Sequence, residues 1–248
     1  MTLKNKVIIL TGGTRIGQTV AKELILKGAN LALTYLNSRD TAQTIIKLAN
    51  DAGTKAIAVQ TNVSKSEDII NLVDETIKTF GRIDGLVHMA AIYQKTPWSS
   101  LKEEDWEPIM DVIAKSAFLL GKIVGDVMLK NSKDNFVQGK MINISDWSVL
   151  TRPYKDYLIY NTAKSAVAGL TKSLAKELAP NILVNCIAPG PILKPSNLSK
   201  ESEEEVLSNT PLGRWGGSEE IAKAVIYLME ADFVTGQTLF VDGGRSIG

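Results

Sequence analysis

Short apolar runs alternate along this chain with longer stretches in which apolar residues recur at helical spacing. Seven runs read as strands: residues 7–11, 30–35, 56–60, 85–89, 140–145, 183–188 and 238–241. Between them lie amphipathic stretches at 19–27, 40–52, 67–80, 103–129, 158–178 and 219–229, each long enough to form a helix. A strand followed by a helix, repeated, predicts βα units, and hence a parallel sheet with right-handed crossovers. Such a sheet is covered by helices on both faces.

Composition narrows the class without naming a function. With 248 residues the chain can bury a large core, and a single α/β domain spanning 1–248 is expected. The balance of 28 Lys and Arg against 27 Asp and Glu leaves a net charge of +1, which gives no reason to expect a nucleic-acid or membrane surface. One cysteine, Cys186, excludes an internal disulfide framework, and the polar start MTLKNK has no apolar core behind it. A reducing, cytoplasmic setting is the expectation. The one long irregular stretch, about 190–215, holds Pro191, Pro195, Pro211 and an acidic SKESEEE run. It reads as a mobile lid with a short helix rather than as a linker.

The first strand runs through Gly12-Gly13-Thr14-Arg15-Ile16-Gly17 into a helix. Glycines at such a turn let the backbone approach a pyrophosphate, and the helix N-terminus adds free N–H groups and a favourable dipole. Dinucleotide selectivity is set near the end of the second strand, where a carboxylate would accept from the ribose hydroxyls. Here the segment reads Tyr35-Leu36-Asn37-Ser38-Arg39, with no carboxylate before Asp40. NADP(H) is therefore expected, with Arg15 and Arg39 as phosphate partners and Asn37 and Ser38 as neutral donors. Farther along, Tyr160 and Lys164 stand four residues apart in a helical stretch and so share one face. A tyrosine has a pKa of roughly 10, and a neighbouring ammonium lowers it toward the range useful for proton transfer.

Five segments in order, TGGTRIG, YNTAK, VNCIAPGPI, PLGRWGGSEEIA and TGQTLFVDGG, resemble the short-chain dehydrogenase/reductase family over essentially the whole chain. The resemblance implies a single-domain Rossmann-type fold, a doubly wound sheet of seven parallel strands. It implies a nicotinamide cofactor and a reductase in which Tyr160 gives a proton while Lys164 holds the cofactor ribose. By the same likeness Asn62 and Val63 lie at the adenine, Ala90 lines the cofactor, and Pro189, Gly190 and Ile192 lie against the nicotinamide.

Four departures sharpen it. The family's serine before the tyrosine is replaced by Asp146, with Ser145 next to it as the competing candidate. An aspartate there is similar to the pteridine reductases, which points to hydride transfer to a C=N or C=O bond of a flat substrate, with Trp98, Trp147, Tyr154 and Tyr157 as pocket aromatics. The family's active-site asparagine aligns with Ile113, so either a proton relay is rerouted, through Lys115 or backbone carbonyls, or turnover is slow; Lys115 otherwise reads as an ordinary surface charge. The glycine turn is one residue short, and the Asn-Asn-Ala-Gly motif reads His88-Met89-Ala90-Ala91. A 3-oxoacyl-[acyl-carrier-protein] reductase-like ketone reductase and an NADP(H)-binding sensor or scaffold with little turnover remain open alternatives. Members usually form homotetramers or homodimers through the two long helices, here 103–129 and 158–178. No metal is called for.

Overall fold

The computed structural model describes residues 1–12, 14–134, 136–196 and 198–247. The seven strands form one sheet in the order β3-β2-β1-β4-β5-β6-β7, with every neighbouring pair parallel. They are β1 (Val7–Thr11), β2 (Asn30–Tyr35), β3 (Ala56–Gln60), β4 (Gly85–His88), β5 (Gly139–Ile144), β6 (Ile182–Pro189) and β7 (Thr238–Val241). In β1 the central Ile9 pairs with Ala32 on one side and Leu86 on the other. Its neighbours Ile8 and Leu10 enter one apolar cluster and Ile9 the other, because successive side chains of a strand point to opposite faces. This explains why the strand is apolar at every position rather than at alternate ones.

Helices α1 (Ile16–Leu26), α2 (Arg39–Asp51) and α8 (Ser218–Glu230) cover the first face. The second is covered by α3 (Ser66–Phe80), α5 (Ser116–Met128) and α6 (Leu158–Leu178). The α5–α6 contact is close: a Cβ on Gly121 would stand 2.7 Å from Leu174 Cδ1. Where the pattern predicts one helix over 103–129, the rod is broken into kinds of turn. A 3-10 turn at Glu103–Asp105 leads into α4 (Trp106–Met110), then a π turn at Asp111–Lys115, then α5. The backbone stays right-handed helical through all three joins. Helix α7 (Lys200–Ser208) lies in the irregular stretch before α8, N-capped by Ser199, whose Oγ accepts from Ser202 N–H at 3.2 Å.

The chain leaves β1 toward β2 and later returns to β4 on the other side of β1. Ligands of open α/β sheets sit at such a reversal, beyond the carboxyl ends of the strands. The turn after β1 and the ends of β4, β5 and β6 all meet there. Among the described residues no helix is long and apolar enough to cross a membrane.

Candidate active site

A cleft of about 760 Å³ opens along the carboxyl ends of β1, β2, β4, β5 and β6. Its floor begins at the turn after β1. The Cβ that any other residue would carry at position 12 would fall 2.8 Å from Met89 C, and one at position 17 only 2.2 Å from Gly12 O. Both glycines are therefore required by close backbone approach. With one residue fewer than the family pattern, the turn closes with positive φ at Gly12 (76°) and at Arg15 (52°). Arg15 leads α1 without a side-chain cap, and no acidic side chain follows in the first turn. An uncapped helix start beside a guanidinium suits an anionic phosphate.

The cleft wall contains Gly12, Thr14, Arg15, Ile16 and Gly17 at this end, Ser38 beyond β2, and Asn62 and Val63 beyond β3. Ala90, Pro189, Gly190 and Ile192 continue it to Tyr160 and Lys164. In donor chemistry these residues suit a nicotinamide dinucleotide. Asn37 and Arg39 do not reach the wall: Arg39 opens α2 on the exposed side, and Asn37 is exposed before it. Of the four expected phosphate partners, Arg15 and Ser38 line the cleft as it stands. Gly13 lies outside the described residues. Asn62 spends its side-chain oxygen on Ser64, accepting from its N–H at 3.1 Å and its Oγ at 2.8 Å. The Ile192 carbonyl accepts from Gly217 N–H.

At the other end of the cleft three side chains converge. Tyr160 and Lys164 project from one face of α6 and are 6% and 4% exposed. Tyr160 Oη donates to Asp146 Oδ2 at 2.8 Å. Lys164 Nζ donates to the Ile144 carbonyl at 2.7 Å and lies 6.0 Å from the centre of the Tyr160 ring. Both Asp146 and Ser145 line the cleft: Ser145 Oγ donates to the Lys164 carbonyl at 2.8 Å and is buried, while Asp146 meets the phenol. Asp146 also accepts from Ser148 N–H at 2.9 Å, which fixes its rotamer.

The electrostatics depart from the expectation for Tyr160. Its pKa is pushed above the usual tyrosine range, first by burial and then by the charge and hydrogen bond of Asp146. The ammonium is turned to the Ile144 carbonyl, and a carboxylate rather than a cation touches the phenol oxygen. Lys164 is lowered to about 8 by burial, with Asp146 pulling the other way. The phenol thus holds its proton at rest.

Aromatic rings wall this end. Tyr93 stacks on Tyr157 at 4.5 Å and meets Tyr160 edge-on at 5.0 Å. Trp147 Nε1 donates to Tyr154 Oη at 2.8 Å, and the Arg245 guanidinium lies 5.1 Å from the Trp147 ring. Trp98, expected in the pocket, is 79% exposed in a 3-10 turn. Tyr93, which sequence reasoning missed, takes that place. It follows β4 in a segment without regular periodicity, so only its closeness to the end of a strand could have marked it. Lys115 pairs with Asp111 at 3.1 Å on the outer surface.

Residues 13–246 match the model of a protein family described as enoyl-(acyl carrier protein) reductase. The short-chain dehydrogenase/reductase from Serratia marcescens is 30% identical and superimposes with a TM-score of 0.90, covering 99% of this chain and 100% of that one. This chain is a short-chain dehydrogenase/reductase. As a member of that family it is an oxidoreductase of the nicotinamide-dependent kind. Among other relatives of this short-chain dehydrogenase/reductase, the 3-oxoacyl-[acyl-carrier-protein] reductase FabG of Staphylococcus epidermidis is 32% identical over 246 residues, 97% of this chain and 98% of that protein. A blue fluorescent protein from a metagenomic library, solved in complex with NADPH, is 28% identical with a TM-score of 0.88, covering 99% of this chain and 100% of that one.

Proposed function

We propose that this short-chain dehydrogenase/reductase uses NADPH to reduce the C=N bond of a flat nitrogen heterocycle of the pterin kind. The observation that carries this reading is the 2.8 Å bond from Tyr160 Oη to the Asp146 carboxylate. A carboxylate accepts hydrogen bonds and repels developing negative charge, so it is a poor neighbour for the alkoxide formed from a ketone. It is a good neighbour for a ring N–H. The rings of Tyr93, Tyr154 and Trp147 line the cleft and offer flat faces to a planar ring, with Tyr157 stacked on Tyr93.

The overall change is C=N plus hydride plus a proton giving CH–NH. A reduced nicotinamide held in the cleft would supply the hydride. A ring N–H of the substrate takes the Asp146 oxygen that accepts from Tyr160 at rest, and the phenolic proton is released toward the imine nitrogen. Lys164, buried beneath the ring, stabilises the phenolate left behind. Because the resting pKa of Tyr160 lies high, the proton moves only when the substrate nitrogen gains basicity as hydride arrives.

NADPH rather than NADH is supported by the absence of a carboxylate at the end of β2 and by Arg15 in the cleft wall. The same reading keeps residues 190–215 as a lid. Leu193, Pro195, Leu198, Val206 and Trp215 line the cleft, and Lys194 pairs with Glu203 across the segment at 2.5 Å. It also keeps a cytoplasmic homotetramer or homodimer joined through α5 and α6.

A second reading, reduction of a 3-oxoacyl thioester, is favoured by the names of the sequence relatives. Against it stands α7, which reaches the cleft at Val206 and carries Glu201, Glu204 and Glu205 besides Glu203, which is paired with Lys194. That acidic helix repels a substrate tethered through a phosphate. The test is NADPH and NADH oxidation against a panel containing a dihydropterin and a 3-ketoacyl thioester. Turnover with NADPH and the dihydropterin is expected, and turnover confined to the thioester would overturn the first reading.

A further inference from the structure

His88 is the only histidine of the chain and has no part in the chemistry above. It ends β4, is 3% exposed, and touches two hydroxyls: Nδ1 lies 2.8 Å from Thr11 Oγ1 and Nε2 lies 2.9 Å from Ser116 Oγ. The other bonds of these hydroxyls settle which way the protons point. Ser116 follows the π turn, and its N–H reaches back five residues to Asp111 O. An α-helix would have given that N–H to Val112 O. Ser116 Oγ supplies the missing bond, donating to Val112 O at 2.6 Å. With its proton spent there, Oγ accepts from His88 Nε2–H.

At the far side, Thr11 Oγ1 accepts from Met89 N–H at 3.1 Å and Ala90 N–H at 3.3 Å. Its own proton is free for His88 Nδ1, which is then the unprotonated nitrogen. Every donor in the chain Val112–Ser116–His88–Thr11–Ala90 has an acceptor, Ser116 Oγ also lying 3.4 Å from Ile113 O, and the imidazole is neutral.

The two ends of this chain belong to the two halves of the site. Ala90 and the residue after Thr11, Gly12, form the cofactor floor. Val112 lines the cleft, and Ile113 packs in one apolar cluster with Ile109, Ile159 and Tyr160. A π turn is a one-residue insertion in a helix, and rewinding it rotates the preceding segment by about 100°. Ile109 would then leave Tyr160. We propose that His88 is a positioning residue: through Ser116 it holds the π turn open and so fixes the α4 face against Tyr160, in register with the cofactor floor. This rests on the reading of Tyr160 as the proton donor.

Two substitutions separate the two bonds, since an asparagine amide overlays the Nδ1 position of histidine and a glutamine amide the Nε2 position. His88→Asn keeps the Thr11 contact and loses Ser116. His88→Gln keeps Ser116. In NADPH-dependent turnover, His88→Asn and Ser116→Ala are expected to lower kcat by roughly tenfold or more. The dissociation constant of NADPH should stay within about threefold, and His88→Gln should restore most of kcat.

Because there is one histidine, ¹⁵N-histidine labelling gives one imidazole, whose signals should report Nε2–H and a bare Nδ1. Amide exchange at 112–116 should accelerate in His88→Asn and not in His88→Gln. Equal loss in both variants, unchanged kcat in His88→Asn, or an Nδ1–H tautomer would overturn the proposal. If Tyr160→Phe keeps full turnover, the reading of Tyr160 fails instead, and the tautomer and exchange results still decide the role of His88.

Discussion

Lys164 carries a cost that spacing alone does not reveal. It is fully enclosed and lowered to about 8, below the ordinary lysine value, so the unfolded chain binds its proton more tightly than the native one. Stability from this group is complete above the unfolded pKa and is lost as pH falls toward 8. Replacing it with an uncharged side chain of similar length, Lys164→Met, should therefore abolish turnover and raise stability at pH 7 by roughly 1–3 kcal/mol, allowing for the donor lost by Ile144 O. Urea unfolding at several pH values checks the sign: the advantage of the variant should shrink from pH 8 and vanish above about pH 10.5. The pairing of Tyr160 with Lys164 and the substitution at 146 were legible in the residues. The direction of the Tyr160 shift was not, because burial and the rotamer of Asp146 outweigh a cation whose distance no spacing reports.

At the scale of elements, strand positions followed from apolar runs, and each lies within two residues of its predicted bounds at either end. The π turn did not follow. Helical periodicity tolerates one extra residue in a long amphipathic rod, and the signal for it, Ser116 with His88 some 28 residues earlier, becomes visible only when β4 and α5 are packed together. The phosphate turn is the opposite case, readable as glycines but with a shape decided by its missing residue. At Gly12 the backbone has φ 76° and the nearest atoms are carbonyl and amide groups that cannot swing aside. Gly12→Ala should cost more than about 2 kcal/mol of stability and weaken NADPH binding at least tenfold. Thermal unfolding and a fluorescence titration with the nucleotide test both halves. Wild-type affinity in the alanine variant would mean that the turn does not carry the pyrophosphate.

For the whole molecule, alternation of strands and helices was enough for a doubly wound parallel sheet, and the ordered motifs were enough for the family. The reversal between β1 and β4 then places the cleft, and three of the features that distinguish this chain lie along that one edge: a shortened turn after β1, a histidine ending β4, an aspartate after β5. Aromatic walls at the substrate end come from separate parts of the chain, 93, 147 and 154–160, and only the folded sheet brings them together. The central claim, that Asp146 sets the substrate class, is tested most directly by the ratio of kcat/KM for a dihydropterin to that for a 3-ketoacyl thioester, measured with NADPH in the native chain and in Asp146→Ser. The account predicts that the native ratio favours the dihydropterin and that the substitution lowers it by roughly a hundredfold or more, with thioester reduction gained. A ratio unchanged by Asp146→Ser, or a native chain that prefers the thioester, would contradict it.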